Sequence, residues 1–311
     1  MTPEPVWVLA DPRAGTAAQA LGIAERLPVA HRVVPLGWGP LARLPWPFGT
    51  LAGLTPEARA AFVPPWPRLV ISAGRRSVPV AQWLQARGAS VVHCMRAAGA
   101  GRFALNILGQ HDEPPALPNT LPILGAAHRI SPARLAEARQ EWAMLQALPR
   151  PRIALLLGGP IRGEGLAPAV AAALGAQVAC FAGSVMATAS RRTGVSATEA
   201  LAAALAPVPH RLYRWGDPGA NPLLGFMAWA DALVVSGDSV SMLSEALVST
   251  APVFIASLGD EGRRHLALHS SLYAAGQARP LSAAPAPFAR PALDEVGRIA
   301  AEIMARGLLA P

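Results

Sequence analysis

Short β-branched, apolar runs alternate with Ala- and Leu-rich stretches along the whole chain, and this alternation predicts strands followed by helices. "VWVLAD" (6–11), "HRVVPL" (31–36), "RLVISAG" (68–74) and "SVVHCM" (90–95) read as strands. Strands separated by helices imply parallel sheets. "FALNILGQHDEP" (103–114) and "TLPILGAAHRI" (120–130) continue this first unit, and a helix from about Pro132 to Leu148 closes it. "LPRPR" (148–152) then punctuates the chain.

The pattern begins again with "IALLLGG" (153–159), a strand running into a glycine turn, and alternates as far as "APVFIASL" (251–258). Three parts are therefore expected: a first Rossmann-like domain over 1–149, a second over 150–285, and a C-terminal segment over 286–311. In that last segment an amphipathic helix (290–309) follows the Pro/Ala-rich "LSAAPAPFARP" (281–291) and can carry the chain back to the first domain. Leu166 to Ser190 runs without a charge. Pro168, Gly175, Gln177, Gly183 and Ser184 interrupt it, so a buried helix followed by a strand fits better than a membrane span. No repeat of solenoid period is visible.

Residues 38–67 depart from the pattern, because three tryptophans and many prolines stand where a helix between strands is expected. Two readings fit: an exposed apolar surface for a lipid or membrane interface, or a Pro-stiffened connection whose tryptophans pack on the sheet.

Composition narrows the class. A chain of 311 residues that is 52% hydrophobic and 15% charged can bury a core, and its length suits two α/β domains. All 27 basic residues are arginine, a bias expected of a GC-rich bacterial genome. The net charge of +8 suits an anionic surface or a phosphorylated small ligand. Nucleic acid is disfavoured, since the arginines are scattered without a basic run or an aromatic-rich signature. Cys94 and Cys180 have no metal-type spacing, which suits a reduced intracellular protein. The N-terminal "MTPEPVWVLADPRAG" lacks the features of a secretory signal, so a cytoplasmic location is expected, with peripheral contact at the inner membrane through residues 38–67.

The most informative stretch is "SGDSVSMLSEALVSTAPVFIASL" (236–258), where the strand "ALVVS" ends in a small-residue turn and a helix begins at once. Open parallel sheets bind ligands beyond the carboxyl ends of their strands. Ser236, Gly237, Asp238, Ser239 and Ser241 let backbone amides at a helix start approach an anion such as a diphosphate. Glu245 lies four residues after Ser241, one helical turn away on the same face, where its carboxylate can accept hydrogen bonds from both hydroxyls of a ribose. The plainer alternative is a helix cap by Ser239 or Asp238 and a solvated Glu245.

Strand, Ser/Gly turn, Glu-bearing helix and strand in the second of two α/β domains resembles the donor site of GT-B glycosyltransferases. Lipid A disaccharide synthase and the N-acetylglucosaminyl transferase of peptidoglycan assembly are examples. Over nearly its whole length the chain also resembles the family named for the plant mitochondrial fission factor of elongated-mitochondria mutants. The blocks that carry this are "DPRAGTAAQALGIAERL" (11–27), "SAGRRSVP" (72–79), "HDEP" (111–114), "GAAHRI" (125–130), "TASRRTG" (188–194) and "NPLLGFMAWADALVVSGDSVSMLSEA" (221–246). Ala10 and Thr16 stand where that family usually has Gly and Asn. This puts ligand contacts by the first loop, with Asp11, Arg13 and Gly15, in question.

The resemblance implies two Rossmann-like domains facing a cleft, a nucleotide-diphosphate sugar as substrate and no separate cofactor; no Asp-x-Asp motif of the metal-dependent glycosyltransferases is evident, so no metal is expected at the donor site. A lipid-linked or glycan acceptor would be the partner. In such an enzyme Ser190, Arg191 and Arg192 would face the diphosphate and offset charge as the sugar leaves, unless the arginines form surface salt bridges. Gly158 and Gly159 offer a second close backbone approach. Gly74, Arg75 and Arg76 repeat that logic in the first domain. His111, Asp112 and Glu113 are the candidates for the base that takes the acceptor's proton, or simply the start of a helix. His128 is a further candidate. Two other functions share the features: a nucleotide-sugar epimerase of the same fold and a non-catalytic partner protein.

Overall fold

The computed structural model describes residues 5–98, 102–160, 165–259 and 261–309. They form two compact units, Met1–Arg129 with Glu295–Pro311, and Ile130–Asp294.

In the first unit β1 (Val6–Ala10), α1 (Ala14–Ala24), β2 (His31–Pro35), α2 (Pro56–Ala60), β3 (Leu69–Ala73), α3 (Val78–Gln85), β4 (Ser90–Cys94), β5 (Leu105–Gly109) and β6 (Thr120–Ile123) follow in order. All strands are parallel, in the order β2-β1-β3-β4-β5-β6. Successive residues of one strand enter opposite cores, as a two-fold side-chain period requires. Val6 and Val8 join a cluster with Ile23 of α1, whereas Trp7 and Leu9 join one with Leu84 of α3. Covering both faces explains why these strands read as continuous apolar runs.

The second unit starts with α4 (Pro132–Glu141) and β7 (Arg152–Leu157). It continues through α5 (Pro168–Ala179), β8 (Ser184–Ala189), α6 (Val195–Leu205), β9 (His210–Tyr213), α7 (Leu223–Trp229), β10 (Ala232–Ser236), α8 (Val240–Ala246), β11 (Val253–Ala256), α9 (Arg263–Ala274) and β12 (Arg279–Pro280). The order β12-β11-β10-β7-β8-β9 is the doubly wound Rossmann arrangement. The charge-free run 166–190 becomes α5 and β8, with Ala171, Leu174 and Val178 packed beneath Val185 and Ala187.

Three expectations need correction. The helix over 132–148 ends at Glu141 and gives way to a 3-10 turn over Ala143–Ala147, and it belongs to the second unit, not the first. The reason is packing: the Arg139 guanidinium lies 4.0 Å from the Trp229 ring of α7, and the Trp229 indole N–H donates to the Arg139 carbonyl. Secondly, the C-terminal helix α10 (Glu295–Ala305) returns to the first domain as expected, but as part of that unit and not as a third one: Val296, Ile299 and Ile303 complete its core beside α1. Buried Glu295 caps the loop after β6 by accepting from the Leu124 N–H at 2.7 Å. Thirdly, "HDEP" starts no α-helix: a single 3-10 turn, Gln110–Asp112, ends at Glu113 in the left-handed region, φ 50°.

In the tryptophan-rich segment two of the three tryptophans pack on the sheet, as the second reading expects. Trp66 packs edge-on against Trp7 and Trp83, at 6.1 and 5.3 Å between centroids, and Trp38 joins the same core. Trp46 lies outside that cluster and stacks edge-on with exposed Phe48 at 5.8 Å.

Candidate functional site

Each sheet has one point where the chain reverses its direction of winding, and ligand crevices open there beyond the strands' carboxyl ends. In the second unit that point lies between β7 and β10. Gly158 and Gly159 leave β7, Ser190 to Arg192 leave neighbouring β8, and Ser236 to Ser239 leave β10.

The turn after β10 is closed onto the loop after β7. The Gly158 N–H donates to Ser236 Oγ at 2.8 Å and the Gly159 N–H to Asp238 Oδ2 at 2.7 Å. The close approach expected at these glycines is thus made by the protein's own Asp238: a Cβ on Gly158 would stand 2.5 Å from its carboxylate, and one on Gly159 would stand 2.1 Å from the Arg192 carbonyl. The other oxygen, Asp238 Oδ1, is buried without a hydrogen-bond partner among the described residues.

Ser239 does cap α8, its Oγ accepting from the Met242 N–H at 3.4 Å. Further along, Ser241 is exposed and Glu245 half-buried. No hydrogen bond or ion pair reaches the Glu245 carboxylate among the described residues, and burial pushes its pKa up to about 7. The α8 C-terminus is fixed from a distance: the buried Arg290 guanidinium donates to the carbonyls of Ala246, Leu247 and Ala251 and to Gln277. Desolvation brings Arg290 down to about 10.

Beside them, Ser190 holds the β8 loop. Its Oγ accepts from the Arg192 N–H at 3.2 Å and lies 3.1 Å from Thr193 Oγ1. The guanidinium groups of Arg191 and Arg192 form no ion pair with any described residue.

Three groups went unnoticed in the sequence. His269 of α9 is buried, and its Nε2–H donates to the Gly237 carbonyl at 2.8 Å. Glu261 closes the turn before α9 by accepting from the Leu258 N–H at 2.5 Å and from Ser257 Oγ at 2.9 Å. Desolvation opposes ionisation of Glu261, yet these hydrogen bonds hold its pKa below the ordinary value. His265, one turn before His269, is held below its ordinary pKa by burial, against the opposing charge of Asp238. The available signal was the His-x-x-x-His spacing, which puts both rings on one helical face. Gly237 is required here because a Cβ would meet His269 at 2.7 Å and Glu261 at 2.9 Å.

In the first unit the reversal lies between β1 and β3. Buried Asp11 ties the first loop: Oδ1 accepts from the Arg13 N–H at 2.8 Å and Oδ2 from the Trp38 indole N–H at 3.0 Å. Gly15 lies in the exposed first turn of α1. Gly74, at φ 83°, opens the turn bearing Arg75 and Arg76, and its missing Cβ would stand 3.1 Å from the Thr16 methyl. Two strands along, at the end of β5, sit buried His111, half-buried Asp112 and exposed Glu113, ~10 Å from β3 by strand spacing. His111 Nε2 lies 3.8 Å from Asp112 Oδ2. His128 is buried, with its carbonyl packed on Gly22 of α1.

Among the described residues no three His, Cys, Asp or Glu side chains converge to hold a metal ion, and no helix is long and apolar enough to cross a membrane.

The model of the Mitochondrial fission ELM1 family matches residues 14–307. The Mitochondrial fission protein ELM1 of Arabidopsis thaliana is 28% identical over 235 residues, covering 65% of this chain and 54% of that protein. The match thus spans about half the length of that relative. Among solved structures, MurG from Acinetobacter baumannii is similar at a TM-score of 0.53 and 14% identity, over 99% of this chain and 92% of that one. UDP-GlcNAc 2-epimerase from Neisseria meningitidis, bound to UDP-GlcNAc, is similar at 0.53 and 12% identity, over 98% and 94%. At these identities the likeness shows the fold, which is GT-B-like.

Proposed function

The chain belongs to the Mitochondrial fission ELM1 family, and from that premise we propose that its second unit binds a nucleoside-diphosphate sugar and that the protein is a metal-independent glycosyltransferase. The observation that carries this reading is Glu245, a shielded carboxylate without a partner, one helical turn from exposed Ser241 beside the β7/β10 reversal. Such a group costs free energy in the free protein unless a ligand supplies donors, and the paired hydroxyls of a ribose do so. Arg191 and Arg192, unpaired among the described residues, suit the diphosphate oxygens.

In the reaction an acceptor hydroxyl oxygen bonds to the anomeric carbon as the bond from that carbon to the diphosphate oxygen breaks, and the hydroxyl proton passes to a base. His111, Asp112 or Glu113 is proposed for that base, and a lipid-linked envelope glycan for the acceptor. A second reading, a nucleotide-sugar epimerase, is favoured by the titratable groups around the β10 turn. Asp238, Glu261, His265 and His269 suit proton movement at a sugar carbon.

One assay separates the two. Incubated with nucleotide sugars and followed by NMR, a transferase releases nucleoside diphosphate only when an acceptor is added. An epimerase interconverts two nucleotide sugars without one. Binding with neither change would leave a non-catalytic nucleotide-sugar protein and overturn the transferase reading.

A further inference from the structure

Part of the segment over residues 38–53 roofs a cavity of about 380 Å³ in the first unit, within the size range of small-ligand sites. Leu44, Trp46 and Val78 give it apolar walls, and Arg43, Arg75 and Arg76 give it three cations. No carboxylate lines it among the described residues, and none of the three arginines forms an ion pair or side-chain hydrogen bond with a described residue. Three like charges around one cavity repel each other until an anion enters.

The arrangement is built by local structure. Gly74, in the left-handed region, turns the chain out of β3, and Ser77 Oγ donates to the Ala73 carbonyl at 2.9 Å. That short turn holds Arg75 and Arg76 at the cavity. Exposed apolar side chains flank it along the chain: Leu41 and Phe48 are 44% and 58% exposed, and Leu44, part of its wall, is itself 51% exposed. Prolines 45 and 47 stiffen the stretch between them, and the Trp46 indole N–H is satisfied by the Leu41 carbonyl at 3.1 Å, which leaves the ring as an apolar contact. A cationic hollow bordered by exposed apolar side chains matches a molecule with an anionic head and an apolar tail.

We infer that this cavity receives the phosphate head of an anionic membrane lipid, with Leu41, Leu44 and Phe48 inserted among the acyl chains beside it. Guanidinium forks from Arg43, Arg75 and Arg76 bind the phosphate oxygens, and the exposed apolar trio supplies the contact that free phosphate lacks. This site is separate from the nucleotide-sugar reading of the second unit and stands or falls independently of it.

The test is co-sedimentation of the full chain with vesicles of phosphatidylcholine alone or with phosphatidic acid added. Wild type is expected to bind the second and not the first, and inorganic phosphate at millimolar concentration is expected not to displace it. Replacing Arg43, Arg75 and Arg76 together by Gln should weaken binding on the order of 100-fold. The same replacement at exposed Arg68, Arg211 and Arg263 removes equal charge and should change it less than about threefold. Phe48→Ser with Leu44→Ser, which keeps every charge, should weaken it about tenfold or more. These positions are at the surface apart from half-buried Arg76, and unchanged melting temperatures will show that each variant is folded. Equal losses from the two arginine triples would reduce the effect to net charge and overturn the proposal. Unchanged binding by the Phe48/Leu44 variant, full displacement by phosphate, or no binding to either vesicle would also overturn it.

Discussion

Replacing Glu245 by Gln should stabilise the free protein at pH 8 and leave it unchanged at pH 4. Burial raises the folded-state pKa of this carboxyl from 4.5 to about 7. Below pH 4.5 the group is neutral in both the folded and unfolded chain and costs nothing. Between 4.5 and 7 the unfolded chain ionises first, so stability falls with rising pH, and above 7 the whole penalty is present. At 1.36 kcal/mol for each pH unit of that interval, the penalty is ~3 kcal/mol as an upper value. A domain of this size moves its melting point by about 2–4 °C per kcal/mol, so Gln should raise the second unit's transition by up to ~6–12 °C at pH 8. The same change should weaken nucleotide-sugar binding about 10- to 100-fold, because hydrogen bonds to a charged acceptor are the stronger ones. Scanning calorimetry at the two pH values, with and without ligand, reads both effects. A melting point that rises equally at pH 4 and pH 8, or one that falls at pH 8, would refute the reasoning.

Other perturbations probe the scaffold. Arg290→Met should destabilise the second unit by about 2–4 kcal/mol in urea titration, since it orphans the carbonyls of Ala246, Leu247 and Ala251. Gly159→Ala should cost roughly 3 kcal/mol and abolish nucleotide-sugar binding, because the new methyl meets the Arg192 carbonyl, which lies on backbone that cannot swing aside; near-wild-type stability would contradict this. The two cysteines should differ under iodoacetamide at pH 8. Exposed Cys180 should alkylate in the native protein, whereas buried Cys94, with its thiol pushed up to about 12, should react only on unfolding, as mass spectrometry of digested samples would show.

What could be read from sequence was what is written locally. The strands β1, β3, β7 and β10 are runs of four or more apolar or small residues ending in Gly, Asp or Ser, so both their existence and the turns after them were visible. The Glu245 helix was visible for the same reason: cap, turn and carboxylate lie within ten residues. Distant partnerships were not. Half-buried Asp238 was read as a cap or an anion-turn residue, because its real partner, the Gly159 N–H, is 79 positions away. Arg290 looked like one arginine in a Pro/Ala linker, and its bonds to α8 span more than 40 residues. The first domain was drawn 20 residues too long because the charged face of α4 suits any surface, and only its packing on α7 and Trp229 assigns it to the second unit. Nor could the proline-rich segment be resolved by composition: Trp66 and Trp46 look alike in sequence, yet one packs on Trp7 and the other meets exposed Phe48.

The central claim is that the second unit holds a nucleoside-diphosphate sugar through Glu245. Isothermal titration calorimetry of the purified chain against a panel of nucleoside diphosphates and their sugars, with Glu245→Ala alongside, tests it most directly. The account predicts that one nucleotide sugar binds and that the variant, folded by circular dichroism, binds it at least about 100-fold more weakly. Silence across the panel from folded protein, or undiminished affinity in the variant, would contradict it.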